Sequence, residues 1–225
     1  MWWIREILQK NKSHRPQLIN ISTSRNIEWS GIFVTNSPSF NIWCGDVENV
    51  YMHDFEIYTD LWGILDIFKL FGSRLDTEMV QFAGIDIELP TFPLNTDAID
   101  FTGRNATFRN IKITNFDDVV VPKPARKGNK YGNCTSDVLV EDCEVYFSTG
   151  MAIGSVPPNP NHNCINGVTY RNIEFHYPFK AIYIKTNPIH IKNKGNESGE
   201  IANIKYENIK INYPIWWGVY IGPQQ

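Results

Sequence analysis

The sequence predicts an all-β protein with the fold of a right-handed single-stranded parallel β-helix, and three observations support this prediction. A phrase of alternating apolar residues around an Asn or Asp recurs along the chain, as is typical of a stacked repeat. A second, shorter apolar phrase follows each of the last four copies. A β-sandwich would need several hairpin turns, yet the Asn-Gly pair that favours such turns occurs once, at Asn166-Gly167.

The longer phrase predicts one strand on each coil of the solenoid. Its apolar positions would pack against the coils above and below, so a single coil would not fold alone. The Asn or Asp at matching positions is expected to stack into a ladder that satisfies polar groups of the turns. Copies of the phrase occupy residues 25–34, 48–57, 106–113, 137–145, 167–175 and 202–211.

The shorter phrase predicts a second face of the same solenoid. Two interleaved ladders of short strands that repeat every ~20 to 36 residues describe a parallel β-helix. Copies of the shorter phrase occupy residues 119–121, 151–154, 181–185 and 218–222.

The composition predicts one domain that spans residues 1–225. Hydrophobic residues make up 42% of the chain and charged residues 20%, which are ordinary proportions for a soluble protein. The net charge of −3 gives no indication of a nucleic-acid partner. No apolar run approaches the ~20 residues that span a bilayer. We therefore expect a monomer that binds neither nucleic acid nor a membrane.

Two segments do not follow the repeat. Residues 1–14 fit no coil and are interpreted as an amphipathic helix that covers the open end of the stack. Residues 60–84 are interpreted as a packed insertion, with a loop beside the functional cleft as the alternative. The apolar spacing of residues 60–71 is compatible with a short helix.

Two features indicate secretion, although the first residues lack the pattern of a signal peptide. Cys134 and Cys164 fall in loops of successive predicted coils and could form a disulfide; the alternative is that all four cysteines are buried thiols. His162 and Cys164 lie close together but supply too few ligands for a metal site, so no metal is expected. The second feature is a set of N-glycosylation sequons, at Asn11, Asn20, Asn105, Asn133 and Asn196.

Three acidic residues are the candidate catalytic groups of the chain. The stretch Asn95-Thr96-Asp97 precedes Asp117 and Asp118 by about one coil of a solenoid. Neighbouring parallel strands lie ~4.8 Å apart, so the three carboxylates would meet on one face. Crowded carboxylates raise each other's pKa, which prepares one to donate a proton while its neighbours stay ionised. The alternative is that Asp97 and the pair are ordinary turn residues.

With these residues in hand, the chain from about Arg15 onward resembles the polygalacturonase family of pectin-degrading glycoside hydrolases, family 28. This resemblance implies the pectin-lyase-like solenoid fold. Family members are longer at both ends, so the chain is expected to be truncated at both ends. The motifs that carry the resemblance are residues 35–40, Asn95-Thr96-Asp97, Asp117-Asp118, Ile153-Gly154-Ser155 and Ile184-Lys185-Thr186.

The resemblance implies inverting hydrolysis of a cell-wall polysaccharide outside the cell, without metal or cofactor. It makes Asp117 the acid that protonates the glycosidic oxygen. Asp97 and Asp118 would then hold and deprotonate the attacking water. An inverting site needs carboxyls ~6.5–9.5 Å apart so that this water fits.

The resemblance also implies that Lys185, Tyr183, Thr149 and Asn95 contact the substrate, and two of these positions depart from the family pattern. Thr149 stands where the family has a His, and Tyr183 stands where it has an Arg that helps to grip a sugar carboxylate. A phenol cannot replace a bidentate guanidinium without losing charge-assisted binding. The rhamnogalacturonan hydrolase branch lacks both residues too, but it carries a Glu in place of Asp118. The substrate therefore stays open.

Counting along the shorter phrase gives expectations about neighbouring coils. Asp118, Thr149 and Lys180 would form one column, so that Thr149 could hydrogen-bond Asp118. Gly154 and Lys185 would form another column with Lys123, which is interpreted as a structural surface lysine, with a role at the site as the alternative. The aromatics Trp216, Trp217 and Tyr220 are interpreted as core packing or as a cover for the open end, with sugar stacking as the alternative.

A second function stays open at this point. The missing His and Arg, with the expected truncation, are compatible with a catalytically inactive protein that binds polysaccharide without cutting it. The intact trio Asp97, Asp117 and Asp118 favours an enzyme, because a site relieved of chemistry has little reason to retain three crowded acids.

Overall fold

The computed structural model describes residues 15–60, 80–82, 85–87, 93, 95–158, 163–186 and 198–223, and within these ranges the chain forms strands and no helix. Nine strands form one sheet, three form a second sheet, and two form a separate antiparallel pair. The strands are β1 (Ile19–Ser22), β2 (Arg25–Ser30), β3 (Phe33–Thr35), β4 (Ile42–Tyr58), β5 (Val80–Phe82), β6 (Ile85–Ile87), β7 (Ile99–Asn115), β8 (Val120–Pro122), β9 (Thr135–Phe147), β10 (Met151–Gly154), β11 (Asn163–His176), β12 (Lys180–Thr186), β13 (Gly199–Asn212) and β14 (Trp217–Pro223).

The long strands stack in parallel and in register, one on each coil. The order β4-β7-β9-β11-β13 runs through the large sheet, and β10-β12-β14 forms the small one. One inward-facing column passes through Val50, Ala106, Val138, Val168 and Ile204. Parallel strands joined by successive crossovers of one hand wind into a right-handed parallel β-helix. The predicted fold class is therefore confirmed.

Asn and Asp residues make the corners of each coil. Asn105 and Asn110 interrupt β7 with φ values of 54° and 52°, in the left-handed region that Asn and Asp tolerate better than other side chains. The same corner on successive coils is joined by side-chain amides, because Asn105 Nδ2 donates to Asn49 Oδ1 (2.7 Å) and Asn49 Nδ2 donates to Asn26 Oδ1 (2.9 Å). The predicted asparagine ladder is confirmed at these coils.

Two tyrosines, one buried and one partly buried, connect the large sheet to the small sheet. The hydroxyl of Tyr170 lies 3.0 Å from the carbonyl oxygen of Val120 and 2.9 Å from that of Ala152. Tyr206 on the next coil donates to the carbonyl of Met151 (3.0 Å), and the two tyrosine rings stack 4.9 Å apart. These contacts cross the core and fix β8 and β10, the strands next to the candidate site.

Cys134 and Cys164 form a disulfide, as the first of the two alternatives predicted. Cys44 and Cys143 are buried thiols. The loop that leads to Cys134 is also held by Asp46, which accepts hydrogen bonds from the backbone N–H groups of Lys130 (2.8 Å) and Tyr131 (2.9 Å).

Two predictions fall largely on residues outside the described ranges. The helix expected at residues 1–14 lies outside them. Of the segment 60–84, the described part is Asp60, which is not helical, and β5, which pairs with β6 in an antiparallel hairpin. The ladder asparagines Asn49 and Asn105 are 56 residues apart across this segment, so it lengthens one coil beyond the expected repeat. Within the described ranges, nothing helical is long or apolar enough to traverse a membrane.

Candidate active site

Parallel pairing brings the three acids to one place. Asp97 precedes β7, Asp118 precedes β8, and these strands pair with Ile99 opposite Val120. The backbone N–H of Ala98 donates to the carbonyl of Asp118 (2.9 Å), so the two turns lie side by side. One carboxylate oxygen from each of Asp97, Asp117 and Asp118 lies within 4.8 Å of the other two. The predicted meeting of the three carboxylates is confirmed.

Buried amides hold the two acidic turns in fixed positions. Asn115 Nδ2 lies within hydrogen-bond distance of the carbonyl oxygens of Thr96 (3.0 Å), Asp117 (3.0 Å) and Asp118 (2.7 Å). Asn41 Nδ2 reaches the carbonyls of Thr96 (3.2 Å) and Asp97 (3.1 Å) from the preceding coil. Because both amides are fully buried, the backbone that carries the acids is organised before any ligand arrives.

Asp118 is surrounded by cations and donors. Lys185 Nζ forms an ion pair with Oδ2, Thr149 Oγ1 donates to Oδ1 (2.7 Å), and Lys123 Nζ lies 3.8 Å from Oδ2. Burial alone would raise the pKa of Asp118, but these cations and hydrogen bonds together hold the pKa below its ordinary value. Asp118 is therefore the acid of the three that stays ionised.

Asp97 and Asp117 have the opposite tendency. Burial, and then the negative charge of the neighbouring carboxylates, raises the pKa of both, and the effect is larger for Asp97. Asp97 is 4% exposed, and among the described residues its Oδ1 has no hydrogen-bond partner. Asp117 is partly exposed and accepts backbone hydrogen bonds from Asn95 (3.0 Å) and Asp118 (2.9 Å). Asp97 and Asp117 therefore form a coupled pair that retains a proton above the usual range of an Asp.

A fourth buried acid was not predicted. Asp100 is almost completely buried on β7, and Lys123 Nζ lies 3.4 Å from its Oδ1. Burial raises the pKa of Asp100 to about 6. The interpretation of Lys123 as a structural surface residue is wrong, because this lysine bridges Asp100 and Asp118. A signal was present in the sequence, since Asp100 stands between Ile99 and Phe101 in an otherwise apolar strand.

The predicted columns are partly correct. Gly154 pairs with Lys185, as predicted. Asp118 pairs with Gly150, and the backbone of Thr149 instead bonds that of Asp117 (2.9 Å), so the predicted column is wrong by one residue. The prediction counted five residues back from Lys123 on one coil and from Gly154 on the next, and so assumed that the two coils are in the same register. The predicted hydrogen bond from Thr149 to Asp118 forms all the same, because the side chain leans toward the neighbouring column.

Gly150 lies opposite Asp118 on the next coil. Its φ is +100°, and a Cβ at this position would collide with the backbone carbonyl of Ala181. Only glycine fits without distortion, because other residues rarely adopt this conformation. The position that faces Asp118 therefore carries no side chain.

The other predicted contact residues also lie at the site. Asn95 binds Asp117 through its backbone N–H, and its Oδ1 accepts a hydrogen bond from Arg15 (2.7 Å). Tyr183 is buried between two lysines, with Lys180 Nζ 4.0 Å and Lys185 Nζ 5.2 Å from the centre of its ring.

The aromatic residues of β14 and the turn before it are not core residues as a group. Trp216 is 64% exposed and Trp217 is 45% exposed, so the core-packing interpretation is wrong for both. Tyr220 packs edge-on against Tyr183, with ring centres 5.6 Å apart. The indoles are left at the surface because they lie on the last described coil.

The spacing that an inverting site needs stays a prediction. One oxygen from each acid lies within 4.8 Å of the other two, whereas the expected ~6.5–9.5 Å is the separation of the carboxyl groups that enclose a water.

The same three oxygens have a geometry that could hold a hard divalent cation, for which carboxylates are suitable ligands. Lys185 already forms an ion pair with Asp118, one of these three acids. The expectation that no metal takes part stays a prediction.

Comparison with known proteins agrees with the fold. The family model described as glycosyl hydrolases family 28 matches residues 1–223. The chain is 27% identical over 128 residues to the probable endopolygalacturonase D of Neosartorya fischeri, covering 56% of this chain and 23% of that protein. It is 32% identical over 124 residues to the probable rhamnogalacturonase C of Aspergillus niger, covering 53% of this chain and 22% of that protein. The crystal structure of endo-xylogalacturonan hydrolase from Aspergillus tubingensis superposes with a TM-score of 0.68 at 19% identity, covering 94% of this chain and 46% of that one.

A parallel β-helix that carries a cluster of three carboxylates is thus the class of structure that this chain forms. Because the family model matches nearly the whole chain, the protein belongs to glycosyl hydrolase family 28. The matched segments span less than a quarter of the two relatives and about half of the solved structure.

Proposed function

We propose that this protein hydrolyses O-glycosidic bonds of a pectic or related cell-wall polysaccharide by an inverting reaction that uses Asp97, Asp117 and Asp118 and no metal. The observation that carries the proposal is the division of the trio. Asp118 is paired with Lys185 and lies 3.8 Å from Lys123, which favours its ionised form, whereas burial raises the pKa of Asp97 and Asp117. A glycosidase needs both kinds of group, one to donate a proton and one to activate water.

Asp117 is the proton donor in this proposal. Its pKa is raised, and it is the member of the trio that is more exposed to solvent, so that a sugar oxygen can reach it. Asp97 also has a raised pKa, but its side chain is too deeply buried to touch a bulky leaving group. When the shared proton resides on Asp117, Asp97 is ionised and available as a base.

Asp97 and Asp118 hold the attacking water. A retaining enzyme would need one of them to attack the sugar carbon directly, and the short oxygen spacing is closer to the ~5–5.5 Å of such enzymes. The environment argues against that role. Both oxygens of Asp118 are engaged, by Lys185 and by Thr149, and Asp97 lies below the surface. A water molecule can reach these carboxylates where a sugar ring cannot.

A neighbouring groove offers space for the rest of the polymer. It has a volume of about 620 Å³, begins at Lys123 and includes Trp43, Arg126 and Ser155 in its walls. An indole provides a flat surface for a sugar ring, and the two cations are suited to acidic polymers. The disulfide Cys134–Cys164 also supports action outside the cell, since such bonds persist in oxidising compartments.

The second candidate is a protein that binds the polysaccharide without cutting it. Thr149 and Tyr183, which replace a His and an Arg of the family pattern, favour this candidate. One assay distinguishes the two. A panel of defined polygalacturonan, rhamnogalacturonan, xylogalacturonan and neutral oligosaccharides is incubated with the protein, with and without EDTA, and reducing ends are counted. We expect release from at least one pectic substrate, equal in EDTA. Binding without release from any substrate would support the second candidate.

The pH dependence of kcat/KM should reflect the divided trio. Asp97 and Asp117 must retain their shared proton, so activity should persist above the ordinary Asp pKa of about 3.9 and fall as pH rises through their raised pKa. Asp118 must stay ionised, so activity should be lost on acidification below the ordinary Asp range, because its pKa is lowered. Initial rates across the acidic and neutral range, with circular dichroism to verify folding, test this. A rate that keeps rising above neutral pH would contradict it.

A further inference from the structure

Three of the N-glycosylation sequons lie in the part of the chain that the structure describes, and they occupy different kinds of position. Asn20 and Asn105 lie within strands β1 and β7, whereas Asn133 lies in the loop before β9. The sequons at Asn11 and Asn196 lie outside the described ranges. A sequon is an acceptor for an oligosaccharide when its asparagine lies on a surface loop of a secreted protein. The three positions can therefore be compared by the room and the contacts that each asparagine has.

Asn105 has a side chain that the fold already uses. Its Nδ2 donates to Asn49 Oδ1 (2.7 Å) in the asparagine ladder, and its φ is 54°. Neighbouring parallel strands lie ~4.8 Å apart, so a sugar on this nitrogen would have to leave a narrow space between two coils. Beside it, Arg104 donates to Glu48 (2.6 Å) of the same neighbouring coil. A glycan at Asn105 would thus disturb contacts that join two coils.

Asn20 is also engaged by its neighbours. Its Nδ2 donates to Gln17 Oε1 (3.0 Å), and its Oδ1 accepts from the hydroxyl of Ser22 (2.7 Å), the third residue of the same sequon. Asn20 pairs with Trp43 on the next coil, and Trp43 is part of the wall of the groove beside the acids. A glycan at Asn20 would therefore lie next to the groove that the proposed function assigns to the polymer.

Asn133 differs from both. Its side chain is exposed, and among the described residues its amide makes no hydrogen bond. The next residue, Cys134, forms the disulfide with Cys164. Thr135, which completes the sequon, is fully buried and donates to the carbonyl of Lys123 (2.7 Å). The amide nitrogen can thus carry a sugar in the folded protein, whereas the two residues that follow it are fixed by the fold.

We propose that Asn133 is a site of N-glycosylation and that its oligosaccharide is attached before the loop closed by the disulfide has folded. The inference goes beyond the proposed function and does not depend on the cleavage of any polymer. It needs passage through an oxidising secretory compartment, which the disulfide supports. Recognition of a sequon depends on the hydroxyl of its third residue, and the hydroxyl of Thr135 is hidden once β9 has formed.

The donor in this transfer is an oligosaccharide carried on a lipid pyrophosphate. Nδ2 of Asn133 forms a bond to C1 of the first sugar, and the bond between C1 and the pyrophosphate oxygen breaks. The lipid pyrophosphate leaves with the electron pair of that bond, and the amide gives up one proton. Because the side chain of Asn133 is exposed, the remaining N–H and the amide oxygen can bond water in the product.

The site is tested by glycopeptide mapping of the protein secreted from eukaryotic cells behind a cleavable leader, with a secreted glycoprotein reporter expressed beside it. We expect an oligosaccharide at Asn133 and none at Asn105 or Asn20. Asn133→Gln should lose one endoglycosidase-sensitive mobility step, whereas Thr135→Ser, which keeps the hydroxyl, should retain it. Asn129→Gln is a matched control, because Asn129 lies in the same loop outside any sequon, and it should change nothing.

An unmodified Asn133, in cells that glycosylate the reporter, would overturn the proposal whatever the other sequons carry. An oligosaccharide at Asn105 or Asn20 would contradict the comparison of the three positions. These measurements detect only the attached glycan, so a protein that cleaves no polysaccharide would refute the proposed function and leave this inference standing.

The timing is tested with solubilised microsomes that contain the transferase and its lipid-linked donor. The unglycosylated protein from a bacterial host is offered to them in its folded, disulfide-bonded form and after reduction and unfolding. We expect transfer to Asn133 of the unfolded chain and little or none to the folded protein, in which Thr135 is buried. Equal transfer to both forms would overturn attachment before folding. No transfer to the unfolded chain, under conditions that glycosylate a sequon peptide, would overturn the site itself.

Discussion

Replacing Asp117 by Asn is expected to lower kcat on the cleaved substrate by ~10³-fold or more, because general acid catalysis alone contributes ~10²–10⁴-fold. Asn keeps the shape of the side chain, but its single amide oxygen can accept from the backbone N–H of Asn95 or of Asp118 and not from both, because these donate to different oxygens of Asp117. It cannot deliver a proton to the leaving oxygen. Reducing-end release under saturating substrate measures the effect, and circular dichroism verifies the fold.

Asp97→Asn should cause a loss of similar size, since it removes the proposed base for the attacking water. Asp137→Asn is a matched control, because Asp137 is an exposed corner residue with a φ of 55°, a conformation that Asn also tolerates. It should keep wild-type activity. Activity of Asp117→Asn or Asp97→Asn within a few fold of the wild type would contradict the roles assigned to the trio.

Replacing Lys185 by Met is expected to have the second largest effect. Lys185 and Asp118 are both buried, and breaking a buried pair on one side costs ~3–5 kcal/mol. The loss of folding stability should lie at or below the lower end of this range, because Lys123 remains 3.8 Å away and Asp118 can take up a proton. The chemical consequence is that the pKa of Asp118 rises, so the acidic limb of the pH profile moves to higher pH.

The expected kinetic result for Lys185→Met is a fall in kcat/KM of ~10²-fold at mildly acidic pH, with a smaller fall near neutral pH where Asp118 is ionised again. Full pH profiles of the variant, of Lys185→Arg and of the exposed control Lys210→Met measure it. An acidic limb at an unchanged pH in Lys185→Met would mean that Lys185 does not keep Asp118 ionised.

Much of the solenoid could be predicted because the register of its paired strands follows from the repeated phrase in the sequence. Val50, Ala106, Val138, Val168 and Ile204 occupy equivalent places in successive copies of one phrase, and the same residues form one column in the structure. The corner asparagines repeat for a physical reason, since Asn tolerates the left-handed conformation and its amide can bond its neighbour. Local conformation and long-range stacking therefore agree in this fold.

The meeting of Asp97 with Asp117 and Asp118 could be predicted for the same reason. Asp97 and the pair are one coil apart, and residues at equivalent positions of neighbouring parallel coils lie side by side. Counting failed by one residue at Thr149, because it assumed equal coils and the pairing of Asp118 with Gly150 does not follow that assumption.

The charge network around the trio could not be predicted from spacing. Lys123 was interpreted as a surface residue, because a single lysine after a short strand is usually solvated. Its burial between Asp100 and Asp118 depends on the direction of three side chains from two coils. Trp216 and Trp217 were expected to pack in the core or to cover the open end; core packing is wrong, since both are largely exposed.

The anomeric configuration of the first product tests the central claim most directly. Proton NMR spectra are recorded during cleavage of a defined galacturonan oligomer, before mutarotation, with the wild type and with Asp117→Asn. If Asp97 and Asp118 activate a water while Asp117 donates its proton, the new reducing end should appear first with the configuration opposite to that of the bond cleaved, and Asp117→Asn should produce no signal. A first product with retained configuration, or equal product from the variant, would contradict this account.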